Sequence, residues 1–388
     1  MHPIVNAMSI HTVEIRIYTD KESYDKMREI VRDKYKMYYV RDNDYDYRNT
    51  PDSWMDVYKS TRNHYINGIN TIIFRIYKAK DDIMRSYVSI VFNLNTILRG
   101  ADSLDPYLTI IHPSQIPESM SRVWDFVDRL NICKEEVKIK RIDFSINLEF
   151  MSYDEVLVFI ELCKKAKWHK YLKDYTEYDN IAHRPKVLYD DSILKRCNSY
   201  EISIYSKNKQ MRNSGRGYDD EEMERALNVI RMELRIERSE IREILKLLNC
   251  NERELLMEHH EEIVKSYAEK LIKIMRYSLG NGDFYSYHDC IIEIDRLRRR
   301  KLITENKKSK LISMIKDASK HKSFSWFYSE DSPYNPREIR DMKKTLNKYS
   351  VSHIAIPNIF GITRMRNPFT YVEKEAKNCI YGWNRYDY

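Results

Sequence analysis

The chain reads as an α+β protein, with an antiparallel or mixed sheet over residues 1–238 and a helical, basic region over residues 239–388. Three observations predict this. Period-two alternation recurs between His11 and Glu237, the mark of half-buried strands. From about Ser239 the apolar spacing lengthens to that of helices. In Ile291–Lys348, sixteen Lys/Arg stand against eight Asp/Glu, an excess equal to the +8 net charge of the whole chain. Such clustering is the electrostatic footprint of a polyanion partner.

Composition agrees. At 388 residues two or three domains are expected, and 42% hydrophobic with 12% aromatic residues is enough for packed cores. Only 8 Gly and 10 Pro exclude Gly-rich linkers and collagen-like repeats. Mean hydropathy is −0.67. No apolar run reaches the roughly eighteen residues of a membrane helix, and Met1–Thr12 lacks a basic-then-apolar signal pattern. A cytoplasmic protein of a bacterial host is the expectation. The six cysteines form no CxxC and no zinc-spaced cluster, so reduced, mostly buried thiols are expected.

The elements follow in order. His11–Tyr18 puts Val13, Ile15 and Ile17 on one strand face and Glu14, Arg16 and Tyr18 on the other. Ser23–Tyr35 suits a helix, and Asp42–Trp54 is rich in turn residues. Thr71–Tyr77 and Tyr87–Leu94 are strands, and Ser119–Leu130 is a helix. Val137–Phe150 is the clearest strand, alternating Ile142, Phe144, Ile146 and Leu148 with Arg141, Asp143, Ser145 and Asn147. Ser152 and Glu155 form a capping pattern that opens a helix to Lys165. Ser199–Tyr205 and Val229–Glu237 are strands, and Arg212–Asp220 is a loop between them. Asn251 and Glu254 cap the next helical stretch, which runs to the stop at Leu279–Asp283. Ser286–Arg300, Thr304–His321 and Pro336–Lys348 are further helices. A short word recurs at Arg16–Lys21, Arg75–Lys80 and Ser203–Lys207. It is read as chance repetition, with two sub-repeats of one sheet as the alternative.

The polar strand faces carry the candidate chemistry. If the last three strands are neighbours, Asp143, Asn147, Glu149, Glu201, Ser203, Tyr205, Arg231, Glu233, Arg235 and Glu237 share an outer face. Carboxylate oxygens of this kind suit hard divalent cations such as Mg²⁺ or Mn²⁺. A tyrosine nucleophile needs help from its surroundings, because its ordinary pKa is about 10. The bland alternative is a solvated sheet face with cross-strand ion pairs.

The order Arg141-Ile-Asp143, then Ile204-Tyr205-Ser-Lys207, then Arg231-Met-Glu233-Leu-Arg235 resembles the phage and plasmid replication proteins of the gene II/gene X family. It is also similar to rolling-circle plasmid initiators of the Rep-trans class. The resemblance covers about Thr12–Arg238. It implies a DNA nickase with Tyr205 as nucleophile, Lys207 and Arg235 on phosphates, and Asp143 and Glu233 holding Mg²⁺ or Mn²⁺. Glu201 and Glu237 are candidate extra ligands. Such a protein would bind a double-stranded origin and a locally single-stranded nick site, form a 5′-phosphotyrosyl link and leave a 3′-OH. Host helicase and polymerase, and a second copy of the chain, are the implied protein partners. The family's acid five residues after the tyrosine is Gln210 here. A non-catalytic origin-binding protein and a mobilisation relaxase are the alternatives.

In the basic region, Ile291, Ile292, Ile294, Leu297 and Leu302 form one apolar stripe, and Leu311, Ile312 and Ile315 another. Arg298, Arg299, Arg300, Lys301, Lys307, Lys308 and Lys310 cluster at the corner between the helices, where they suit phosphate contact. His259 and His260 are expected to be plain helix histidines. The aromatic run Phe324–Tyr328 is read as a small core, and no function is assigned to the aromatic tail from Tyr381.

Overall fold

A computed structural model describes residues 4–5, 8–35, 37–39, 53–59, 68–79, 83–100, 108–131, 134–174, 178–179, 184–185, 192–213 and 218–369. The fold is α+β. In chain order the first part runs β1 (Ile4–Val5), β2 (Ser9–Thr19), α1 (Lys21–Asp33), β3 (Tyr38–Tyr39), β4 (Ser53–Lys59), β5 (Ile69–Lys78), β6 (Met84–Asn93), α2 (Leu94–Arg99) and α3 (Ile116–Leu130). Next come β7 (Glu136–Glu149), α4 (Tyr153–Lys165), β8 (Lys173–Asp174), the β9 (Tyr178–Asp179) and β10 (Arg184–Pro185) pair, β11 (Ser192–Arg196), β12 (Tyr200–Ser206), α5 (Lys207–Asn213), α6 (Asp220–Ala226) and β13 (Val229–Glu237). Helices α7 (Arg238–Leu248), α8 (Glu252–Met257) and α9 (His260–Leu279) follow, then β14 (Phe284–Tyr285), α10 (Tyr287–Arg299), α11 (Glu305–Lys320), α12 (Pro336–Lys348) and β15 (Arg364–Met365).

The main sheet is antiparallel throughout, in the order β3-β4-β5-β6-β2-β7-β13-β12-β11-β8, with β1 also paired to β7. Its apolar face is formed by the residues the alternation selects. Val13, Ile15, Ile142, Phe144, Ile202, Ile204, Met232 and Leu234 are all fully buried. The helical region closes over this face, where Tyr267 of α9 stacks on Phe144 at 4.7 Å. One apolar core therefore runs from the sheet into α9–α12.

The sheet has two topologically equivalent halves that meet at the β2–β7 seam. Each is strand, helix, three strands. β2, α1, β4, β5 and β6 give the spatial order β4-β5-β6-β2, and β7, α4, β11, β12 and β13 give β11-β12-β13-β7. The registers correspond. Tyr77 on β5 lies opposite Ser53 and Arg85, as Tyr205 on β12 lies opposite Ser192 and Arg231. The recurring word at Arg75 and Ser203 thus occupies equivalent strands.

Several expectations need adjusting. Ser53 and Trp54 begin strand β4, and Asp42–Asp52 lies outside the described residues. Leu94 opens a helix, because the Asn93 side chain accepts from the Thr96 amide and ends the strand. Of Arg212–Asp220, the ends are helical. Asp219 caps α6 reciprocally with Glu222, and residues 214–217 are not described. His259 is the cap residue of α9 rather than inside the helix. Ile292 and Leu302 are exposed at 49% and 47%, so the α10 stripe is carried by Ile294 and Leu297. In the Phe324–Tyr328 run, Phe324 and Phe327 are buried in the main core. Cys163, Cys197, Cys250 and Cys290 are free thiols. The tail from Tyr381 is outside the described residues. Among the described residues no helix is long and apolar enough to cross a membrane.

Candidate active site on the polar sheet face

Strands β12, β13 and β7 are neighbours, so the expected polar residues do share one face. That face is far less solvated than alternation alone suggests. Asp143, Ser145, Asn147 and Arg231 are all buried, with Arg231 at 0% exposure. Two separate arrangements occupy it.

The first is a ladder of alternating charge across five strands. Arg16 holds Glu14 at 3.1 Å, and Glu14 faces Arg141 at 3.8 Å. Asp143 takes Arg141 at 3.1 Å and Arg235 at 3.0 Å. Arg235 reaches on to Glu201 at 2.8 Å, and Arg196 lies 4.0 Å from Glu201. Burial raises the Asp143 carboxyl above its ordinary pKa, outweighing Arg141 and Arg235. Burial likewise raises Glu201. Burial disfavours the Arg235 cation, but Asp143 and Glu201 more than compensate and raise its pKa. Glu237 sits apart, paired to Lys140 at 2.8 Å.

The second arrangement surrounds Tyr205, which is half-buried near the end of β12. Its hydroxyl donates to Glu233 Oε1 at 2.7 Å. Beside it, the Arg231 guanidinium donates to Asn147 Oδ1 at 2.9 Å, the Leu108 carbonyl at 2.9 Å and His11 Nε2 at 3.0 Å. All three acceptors are neutral. Arginine only donates, so His11 Nε2 must accept and the ring proton sits on Nδ1, facing Thr12 Oγ1 at 2.8 Å. Burial, then the Arg231 and Lys207 cations, hold His11 well below the usual histidine range and keep it neutral. Burial, then the Glu233 carboxylate, push the Tyr205 phenol well above its usual value. Lys207 opens α5, is nearly buried, and donates to Gln210 Oε1 at 2.6 Å. The position of the missing acid is thus a neutral partner for a buried lysine.

The structure therefore unites Tyr205 and Glu233 and ties Asp143, Arg235 and Glu201 into the neighbouring ladder, from which the Asp143 charge still reaches both Glu233 and Tyr205. Lys207 lies two residues beyond Tyr205 and turns to Gln210. The donor set does not fit a bound divalent cation as it stands. Asp143 and Glu201 already face guanidinium groups, Glu233 faces the phenol, and Glu237 faces Lys140. Among the described residues, no three His, Cys, Asp or Glu side chains converge as metal ligands. Sequence reading missed His11, because it sits 194 positions from Tyr205 and enters only through the β2–β7 pairing.

The expected DNA-contacting residues divide in two. Arg298, Lys307, Lys308 and Lys310 pair with Glu305, Asp341, Asp295 and Glu338. Arg299, Arg300 and Lys301 are exposed and, among the described residues, have no carboxylate partner. Lys301 adopts a left-handed φ of 59°, which turns the corner between α10 and α11. Compared with known proteins, the chain matches no protein-family model and no curated protein sequence.

Proposed function

We propose that this protein is a rolling-circle replication initiator that nicks one DNA strand by tyrosine transesterification. The observation that carries the reading is the 2.7 Å hydrogen bond from the Tyr205 hydroxyl to Glu233. A phenol with a raised pKa is a poor nucleophile until its proton has somewhere to go, and a carboxylate in contact supplies that. Tyr205 Oη attacks the phosphorus, its proton passes to Glu233, and the P–O3′ bond breaks. Glu233 then returns the proton to the leaving 3′ oxygen. A 5′-phosphotyrosyl link and a free 3′-OH result. Buried Arg231 acts through its field, favouring negative charge at the phenolate and the phosphate. Arg299, Arg300 and Lys301 would anchor origin duplex through its phosphates. No step is routed through a metal. A cation would enter only by displacing Arg141 and Arg235 from Asp143.

The test uses supercoiled plasmid carrying the DNA that flanks this gene, with Mg²⁺, with Mn²⁺ and with chelator. Wild type should nick and become attached to a 5′ end, and Tyr205→Phe should do neither. Retention of the adduct in Tyr205→Phe would sink the assignment.

A second reading has one observation in its favour. The charge ladder ties Asp143 and Glu201 to arginines, as a structural sheet face would. A non-catalytic origin-binding protein would show salt-sensitive binding to that DNA and no nick under any of the three conditions.

A further inference from the structure

Two adjoining cavities of about 620 and about 970 Å³ share Lys170, Lys173 and Asp174. Their lining follows one edge of the sheet from Ser192 to Tyr200. Its cations are Lys164, Lys167, Lys170, Lys173, Lys195 and Arg196, and among the described residues Asp174 is the one carboxylate in the lining. Asp174 is taken up by Lys195. Lys164 pairs with Glu161 at 2.6 Å, and Arg196 lies at the end of the charge ladder. Lys167, Lys170 and Lys173 have no carboxylate partner among the described residues, and Lys167 rests over the Tyr328 ring at 2.9 Å. Tyr171 projects from the groove at 61% exposure, with His169 4.8 Å away.

We propose that this edge groove binds the backbone of single-stranded DNA, with Tyr171 offering a ring on which a base stacks. Three lysines in a concavity with no carboxylate partner among the described residues call for a polyanion rather than a single charge. The combined space exceeds the roughly 300–1,000 Å³ of a small-ligand pocket, and its lining tracks a strand. Cations interleaved with an exposed aromatic ring are the chemistry that holds unpaired nucleotides. Ser192 at one end pairs with Tyr205 in the β11–β12 register, which sets that end of the groove one β-strand from Tyr205 along the sheet edge. The proposal rests on the DNA reading above but not on its chemistry.

The test is equilibrium binding, followed by fluorescence anisotropy of a labelled oligothymidine with the full chain in chelator. Binding is thereby read whether or not the protein can nick. Lys170→Glu/Lys173→Glu, both exposed and so tolerated by the fold, should weaken binding at least tenfold. The logarithmic salt slope should flatten by about 0.7 for each phosphate that is no longer neutralised. Lys344→Glu/Lys348→Glu on α12, an equal charge change, should have a far smaller effect. Tyr171→Ala should weaken binding several-fold. Unchanged affinity in the Lys170/Lys173 variant would overturn the proposal. So would equal competition by duplex of the same length, or displacement by millimolar inorganic phosphate, which would make the groove a small-anion pocket.

Discussion

The two halves of the sheet share one topology and differ in chemistry. Tyr205 and Tyr77 hold equivalent positions, yet of the two only Tyr205 meets a carboxylate among the described residues. Where the second half has Glu233, the register of the first half places Tyr87. Asp143 corresponds to Arg16, and Glu201 to Ile73. Tyr77 instead meets the Tyr87 ring edge-on at 5.9 Å, and Arg16 lies over Tyr87 at 4.4 Å. The fold therefore supplies a tyrosine on a sheet face. A proton acceptor beside it comes from one substitution on the neighbouring strand, and that separates a candidate nucleophile from a packed aromatic.

The largest expected effect tests that difference directly. Glu233→Gln keeps the shape and a hydrogen bond to Tyr205 but removes the base. Formation of the 5′ adduct should fall roughly 10²–10⁴-fold, measured by single-turnover labelling. Tyr87→Phe, at the equivalent position, should leave the rate unchanged. A Glu233→Gln protein with full activity would remove the contrast between the halves.

The ladder offers the next contrast, in stability. Arg235→Ala leaves nearly buried Asp143 with Arg141 alone and strips Glu201 of its closer partner. Truncating one partner of a buried pair costs roughly 3–5 kcal/mol, and the surviving Arg141 favours the low end. Arg16→Ala should cost less, because Glu14 keeps the Ser89 hydroxyl at 2.6 Å and Arg141. Urea denaturation of both variants measures this. Equal losses would mean that the ladder is a uniform solvated face.

A third prediction concerns the residue that the first half contributes to the second half's site. His11 is neutral in the fold because burial, Arg231 and Lys207 all oppose its charge. Its folded pKa is lowered, so the unfolded chain takes up the proton first. The stability it contributes is fully present above the ordinary histidine value of about 6.5 and is lost as pH falls below it. Each such histidine contributes up to about 1.4 kcal/mol per pH unit in that window. His353, buried with neither ring nitrogen partnered among the described residues, adds to the same slope. His11→Gln should flatten the acid limb by one histidine's share and leave that of His353. An unchanged limb would show that His11 does not titrate on unfolding.

Much of the fold was legible in sequence, and less of the site. The buried and polar faces of the strands follow from alternation. Val229–Glu237 and Pro336–Lys348 have the expected bounds, and Ser152 and Asn251 cap as their spacing implies. Ser286 and Thr304, expected as the first residues of helices, are their caps. Local rules suffice there, because each signal lies within one element. The ladder was not legible as a ladder. Which arginine meets which carboxylate depends on register between strands far apart in sequence, with Glu14 and Arg141 127 positions apart and Asp143 and Arg235 92. The ion pairs of the basic corner were hidden for the same reason, since Asp341 and Glu338 of α12 fold back onto Lys307 and Lys310. The edge groove did leave a signal. Five lysines and His169 fall within Lys164–Lys173, but a charge count over long segments averages them away.

The smallest effect lies where the halves agree. Helices α1 and α4 follow equivalent strands, are both 13 residues long, and are each capped by the side chain one position before the helix. Asp20 accepts from the Ser23 amide, and Ser152 from the Glu155 amide. Ser152→Ala should cost about 1 kcal/mol, and that cost should not change with pH. Asp20→Ala should also destabilise, with a pH signature. The Ser23 amide bond lowers the Asp20 pKa, so the folded state favours the carboxylate. That contribution is present above the ordinary aspartate value and disappears as pH falls through the lowered one. Midpoints measured at neutral pH and again in acid should therefore converge for Asp20→Ala and wild type, and stay separated for Ser152→Ala. Equivalent architecture would then be held by different chemistry at the caps, as it is on the sheet face, but with no consequence for what either half can do.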